Sequence, residues 1–213
     1  MKGFTKQEMK VLKKHFDADP RLKALWEKAF AFQHARGDGR HAENVIYFTA
    51  KLLEHEKEAE AQVALPAAII HDIGWYWMTP EEHRDGLPYG TPSEILRETK
   101  KKHEELGVKN GGRLLQESGY TREEIKRVIE IVDGHDTRVE CLSPSDGIMR
   151  DADRLTRFSK DGFWSEMVRK RGMTREDKYK ALLEQMSAAN YFYSPHASRI
   201  ARQELEKRVS EGF

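Results

Sequence analysis

Cys141 is the chain's single cysteine, so no internal disulfide can form and no cysteine-based zinc cluster can be built. Any metal chemistry therefore has to use histidine and carboxylate. Long hydrophobic runs are missing too: nowhere do about 18 apolar residues follow one another, the length a membrane-spanning helix requires. The opening MKGFTKQEMK is too polar for a secretory signal, and a cytoplasmic location is the simplest expectation. An excess of one charge is also lacking. The 37 basic and 36 acidic residues nearly cancel, so no global field favours nucleic acid or a membrane surface as a partner. Alternating runs of Val, Ile and Thr are rare, which removes the signature of a half-buried strand.

What the chain does have is helical periodicity. Its 213 residues, 38% of them hydrophobic, can bury a substantial core and fall within the range of one compact domain. Apolar residues recurring at three and four positions predict helices over about 5–16, 20–35, 40–58, 61–77, 93–118, 121–134, 146–159, 174–190 and 196–210. Thr121 and Glu124 have the spacing of a capping box and mark one of these starts. RGDGR at 36–40 reads as a loop, its two glycines suiting a turn. The segment 78–92, with three prolines and two glycines, reads as a long irregular stretch, either a functional loop or a surface excursion. No repeat, low-complexity tract or linker divides the chain.

The histidines carry the chemistry. His41 shares a helical stripe with Val45, Phe48 and Leu52 and so faces inward, a position that a hydrogen-bonded core histidine would also occupy. In LPAAIIHDIGWYW the helix is apolar nearly all round, hence central, and Asp72 is its difficult residue. A buried carboxylate is costly unless paired, and no Lys or Arg is near it in sequence. A cation at His71 and Asp72 would compensate it; a helix N-terminus or a distant Arg is the alternative. His103 precedes Gly107 and Gly111 at four-residue intervals. Each glycine costs about 1 kcal/mol in a helix interior, so the stripe requires a packing reason. His135 extends the inward stripe Ile125, Val128 and Val132. In IMRDADRLTRF, Asp151 and Asp153 cannot share a helix face, and periodicity favours Asp151, which aligns with Ile148, Leu155 and Phe158. His15, His34, His55, His83 and His196 lack such alignment and read as surface or loop residues. Imidazoles and carboxylates on the inner faces of separate helices suit Mn, Fe, Ni, Zn or Mg.

His41, the HDIG at 71–74 and the ADRL at 152–155 together resemble the HD-domain superfamily of metal-dependent phosphohydrolases, over about residues 38–160. The resemblance implies an all-α helical bundle, here a single HD-type domain over 1–213 with flanking helices packed on the core. It implies a divalent ion (Mn, Fe, Ni, Co, Mg or Zn) held by His41, His71, Asp72 and a late aspartate that maps to Asp153, against the periodicity that favours Asp151. His103 and His135 resemble the additional histidines that hold a second ion or act on the substrate phosphate, so one or two ions per chain are open. The implied reaction is hydrolysis of a small phosphate ester or nucleotide by a metal-activated water. Asp72 would accept the proton of that water, and His103 and His135 would assist the leaving group. Arg40 and Arg154 adjoin ligands and could contact phosphate, a surface ion pair being the alternative reading. Trp75, Tyr76 and Trp77 suit either an aromatic wall for a base or core packing. A di-iron oxygenase and a non-catalytic, metal-containing nucleotide-binding regulator are the competing functions. Oligomeric state leaves no trace in the sequence.

Overall fold

Capping boxes start four of the helices. Thr5, Thr79, Thr121 and Thr174 each accept the N–H of the acidic residue three places on, whose carboxylate returns to the threonine N–H. The computed structural model describes residues 1–35, 37, 39–86, 92–169 and 173–212. Among them lie eleven α-helices and no strand, in keeping with the all-α expectation. They are α1 (Lys6–Ala18), α2 (Pro20–Ala29), α3 (His41–Leu52), α4 (Ala61–Ile70), α5 (Pro80–Gly86), α6 (Ser93–Glu117), α7 (Arg122–Val132), α8 (Pro144–Thr156), α9 (Lys160–Arg169), α10 (Arg175–Ser187) and α11 (Pro195–Ser210). Short 3-10 turns occupy Phe30–Phe32 and Ile73–Trp77.

The hub is α4, whose residues from Val63 to Ile70 are all buried. A helix that is apolar all round needs neighbours on every side, and α2, α3, α7 and α8 supply them. Helix α3 lies along α8, while α6 packs on α7 and on the 3-10 turn after α4. One hydrophobic cluster runs from Leu12 in α1 to Leu205 in α11, so the outer helices share the central core. No described helix is long and apolar enough to cross a membrane.

The predicted helix over 61–77 is interrupted at the polar pair. Helix α4 stops at Ile70, Asp72 leaves helical geometry (φ −106°, ψ 1°), and Ile73–Trp77 tightens into the 3-10 turn. Gly74 explains the close fit: a Cβ there would overlap the His103 carbonyl oxygen and press to 2.6 Å on Gly107 N. The two glycines of α6 answer from the other side. Gly107 meets the His71 carbonyl, and a Cβ on Gly111 would come within 2.6 Å of Ile70 Cδ1. Close approach of α6 to the end of α4 is thus the packing reason that the glycine stripe requires.

Other departures are local. The helix expected over 40–58 ends at Leu52, and α5 and α9 form where none is expected. Helix α9 follows only a few residues after α8 because the Ser159 hydroxyl caps the Gly162 N–H at 3.2 Å, with Gly162 lying against the Thr156 carbonyl. Helix α5 begins within the segment expected to be irregular; residues 87–91 of that segment, and Arg36 and Asp38 of the 36–40 loop, lie outside the described residues.

Gly74→Ala should therefore cost about 1–3 kcal/mol, because a backbone carbonyl cannot rotate out of the way. Gly112→Ala is the internal control, its nearest neighbour being Ile129 Cδ1 at 3.9 Å, and it should be neutral or stabilising by helix propensity. Urea midpoints of the two variants check the contrast.

Candidate metal centre

Five helices bring six side chains to one point. His41 opens α3, His71 and Asp72 follow α4, His103 sits mid-way along α6, His135 comes just after α7, and Asp153 lies in α8. Gly134, with φ +86°, makes the turn that returns the chain after α7. His71 and His103 are fully buried, His135 and Asp72 nearly so.

The geometry divides around Asp72. On one side, His41 Nε2 is 3.2 Å from His71 Nε2, 3.2 Å from Asp72 Oδ2 and 3.2 Å from Asp153 Oδ1. His71 Nε2 lies 3.7 Å and 3.9 Å from the same two oxygens. On the other side, Asp72 Oδ1 is 3.3 Å from His103 Nε2 and 3.5 Å from His135 Nε2, which are 3.3 Å apart. Asp136 Oδ2 is 3.9 Å from His103 Nε2. One carboxylate thus presents an oxygen to each of two histidine pairs.

The tautomers of two rings follow from the backbone. His71 Nδ1 bonds the Ala68 carbonyl and His135 Nδ1 the Val132 carbonyl, each at 2.9 Å, so each ring carries a proton on Nδ1 and turns its Nε2 edge inward. Trp75 Nε1 donates to Asp72 Oδ1 at 3.1 Å, and its ring stacks on His103 with centroids 4.4 Å apart. Glu104, buried beside His103, accepts from Asp136 N, Thr137 N and the Thr137 hydroxyl at 2.8, 3.0 and 2.6 Å. It ties the segment carrying His135 and Asp136 to α6.

Electrostatics shows what the cluster is short of. Burial, the largest influence on His71, pushes its imidazole down to about 4 and keeps it neutral. Burial works the same way on His135, but the hydrogen bond to Asp72 and the charges of Asp136 and Glu104 outweigh it and push that ring up to about 9. Burial works to raise Asp153, yet the hydrogen bond from His41 and the charges of His41 and His71 hold it well below the ordinary carboxylate range. Asp136 is held down to about 2 against its burial, Lys100 and His135 being the main causes. Buried lone pairs and carboxylates at this density call for positive charge among them. Ligands of an ion with bonds of about 2.0–2.2 Å stand about 3 Å apart when at right angles, and the donor separations here are 3.2–3.9 Å on both sides of Asp72. The residues fit divalent metal, with His41, His71, Asp153 and, beyond Asp72, His103, His135 and Asp136 as the groups able to hold it.

Of the residues singled out from sequence, His41, His71, Asp72, His103, His135 and Asp153 converge. Asp151, which periodicity favours, does not: it is fully buried on another face of α8, where its carboxylate accepts the N–H groups of Tyr193 and Ser194 at 2.9 and 2.7 Å. Both faces of α8 are buried, so an apolar stripe could not tell them apart. Burial pushes Asp151 up to about 6. Arg40 and Arg154 are taken up by packing. Arg40 donates to the Gly3 carbonyl and to Glu8 at 2.8 and 2.6 Å, and Arg154 donates to the Tyr191 carbonyl. His83, read as a surface or loop residue, is half-buried and bonds the Trp75 carbonyl at 2.6 Å. Residues that sequence reasoning missed are Asp136, Glu104, Lys100, Arg157 and the Trp75 N–H. A signal for two of them was present: His71–Asp72, His103–Glu104 and His135–Asp136 are three histidine–acid dipeptides on inward-facing stripes.

The family model described as HD domain matches residues 39–157, more than half of the chain. The chain belongs to the HD-domain family. No curated protein matches it, and no solved structure does. The matched span holds every donor of the cluster, from His41 to Asp153, and HD domains make up a superfamily of metal-dependent hydrolases. In this HD domain Asp72 stands at the helix break, between the two histidine pairs.

Two measurements follow. Glu104→Gln weakens the hold on the His135 segment without touching a donor atom, so Mn2+ affinity by calorimetry should fall about 10–100-fold with the helical circular dichroism retained. Free Mn2+ at 100 times its Kd should add about 2.7 kcal/mol over chelator-treated protein, a rise in Tm of about 5–10 °C for a chain of this length.

Proposed function

We propose that this protein is a metal-dependent phosphohydrolase that cleaves a small phosphate ester or nucleotide. The observation that carries the reading is Asp72, whose two oxygens each face a histidine pair at 3.2–3.7 Å. In this reading His41, His71, Asp72 and Asp153 hold one divalent ion (Mn, Fe, Ni, Co, Mg or Zn), and His103 and His135, with Asp72 and Asp136, are the donors for a second. Residues 1–213 are taken as one HD-type domain, in line with the single hydrophobic cluster from Leu12 to Leu205. The near-neutral charge and the lack, among the described residues, of a long apolar helix favour a small phosphorylated substrate in the cytoplasm over a nucleic acid or a membrane.

When bound, a divalent ion supplies an activated water at neutral pH and polarisation of a phosphoryl oxygen. The chain supplies position and proton transfer. With one ion, Asp72 keeps Oδ1 to accept the proton of the attacking water, and His103 and His135, 3.3 and 3.5 Å from that oxygen, pass it to the leaving oxygen. With two, Asp72, His103, His135 and Asp136 would be the residues that hold the second ion, and the two histidines would serve as ligands in place of carrying the proton. Trp75, donating to Asp72 and stacked on His103, fixes the mutual orientation of the two groups in either case.

Metal analysis of protein purified without chelator, followed by a panel of phosphomonoesters, phosphodiesters and nucleotides with Mn, Ni, Co, Fe and Mg, tests the proposal. Metal-dependent hydrolysis is expected, and Asp72→Ala should abolish it. Asp153→Asn should lower kcat/KM by at least about 100-fold through lost metal, whereas Asp151→Asn should leave metal content unchanged. Two irons per chain with oxygen consumption and no phosphate release, or tight nucleotide binding without turnover, would replace the phosphohydrolase by an oxygenase or a regulator.

A further inference from the structure

The two sides of the centre hold the same kinds of donor in different surroundings. On the side of His41 and His71, Asp72 Oδ2 and Asp153 Oδ1 face imidazole nitrogens at 3.2–3.9 Å. On the side of His103 and His135, each acid already accepts a further hydrogen bond. Trp75 Nε1 donates to Asp72 Oδ1 at 3.1 Å, and Lys100, on α6 one turn before His103, donates to Asp136 Oδ1 at 3.2 Å. Lys100 leads the charges that hold Asp136 down, whereas those that hold Asp153 down come from His41, His71 and Arg157. The Arg157 charge bears on Asp153 and Asp136 alike and so does not separate the two sides.

Lys100 acts on Asp136 through charge more than through position. Residue 136 is brought to the centre by its backbone, because its N–H and that of Thr137 donate to Glu104 at 2.8 and 3.0 Å. An ion among His103, His135 and Asp136 would therefore share one carboxylate with an ammonium. Only 35% of the Lys100 side chain and 18% of the Asp136 side chain are exposed, so water screens the repulsion between the two cations incompletely. The ion either meets that repulsion or displaces the ammonium from Asp136, and affinity is lost in both cases.

Resting on the phosphohydrolase reading for the identity of the centre, we infer that Lys100 sets its metal stoichiometry. The ammonium on Asp136 makes the His103 side a weak site, so the centre fills with one ion on the His41 side. His103 and His135 then stay available to the substrate, and Asp72 Oδ1 stays available to the attacking water.

The test titrates chelator-treated protein with Mn2+ alone, followed by calorimetry and by electron paramagnetic resonance. Two ions on one carboxylate couple their spins, and an isolated ion does not. Wild type should bind the second equivalent at least about tenfold more weakly than the first, with the spectrum of an isolated ion at one equivalent. Lys100→Met, which keeps the stem and removes the charge, should tighten the second site by about tenfold, bring out the coupled spectrum and leave the first site unchanged. Lys100→Arg should restore the wild-type gap, and Asp136→Asn in the Lys100→Met background should cancel the gain. Lys100→Gln is the neutral probe if Lys100→Met fails to fold. Two equally tight sites in wild type, or a second site that the neutral variants leave unchanged or weaken, overturns the inference and leaves the phosphohydrolase reading intact. The expected metal binding with no ester or nucleotide hydrolysed would sink that reading and leave the role of Lys100 standing. No Mn2+ bound on either side overturns both.

Discussion

The structure depends on one buried charge. Asp72 lies at the end of the most apolar helix in the chain, and a carboxylate there is tolerable only if several groups share its cost. Trp75 donates to one oxygen, His41 approaches the other, and His71, His103 and His135 complete the surround. None of these residues comes from the same helix as another except by adjacency to the HD pair itself. To satisfy Asp72, α3, α6 and the turn after α7 all have to arrive at the end of α4, and that requirement orders the bundle.

The ring of partners has its own supports. Two imidazoles are oriented by carbonyls of the helices that precede them, so their tautomers are set before any ligand arrives. Glu104 fixes the segment after α7 by taking two of its backbone N–H groups. The outer helices contribute through the common core and not through donors: α11 is held by Asp151, which accepts the N–H groups just ahead of it, and α1 by Arg40, which bonds Glu8 and Gly3. Arg40 and Asp151 both lie close to donors in sequence, yet each faces away from the centre to fasten a flanking helix.

Much of this was legible in the sequence, because periodicity reports which face is buried. Apolar stripes led to His41 and His135, the glycine stripe to His103 and a helix apolar all round to His71, and the isolation of Asp72 among apolar residues announced a cation. Asp151 misled for the same reason that the stripes worked elsewhere: α8 is buried on two faces, and a stripe records burial without saying against what. The helix break at Asp72 was hidden because a 3-10 turn preserves an apolar composition while changing the geometry. Lys100 was hidden because a lysine on a helix usually faces solvent, and only the tertiary arrangement brings it to Asp136 at 3.2 Å. Helix α9 was masked by Gly162, which reads as a breaker and in the fold makes room for the Thr156 carbonyl.

Gly74 touches the backbone of α6 at His103 and Gly107, so main chain rests on main chain between the two halves of the centre. The interval from the His71 side to the His103 side is consequently a property of two peptide backbones in contact. Side chains around the rim can be exchanged, and the outer helices can be repacked, without moving that interval. A protein built this way is free to change what it binds while the spacing of its reactive groups stays constant, and the residues that guard the constancy are ones with no side chain at all.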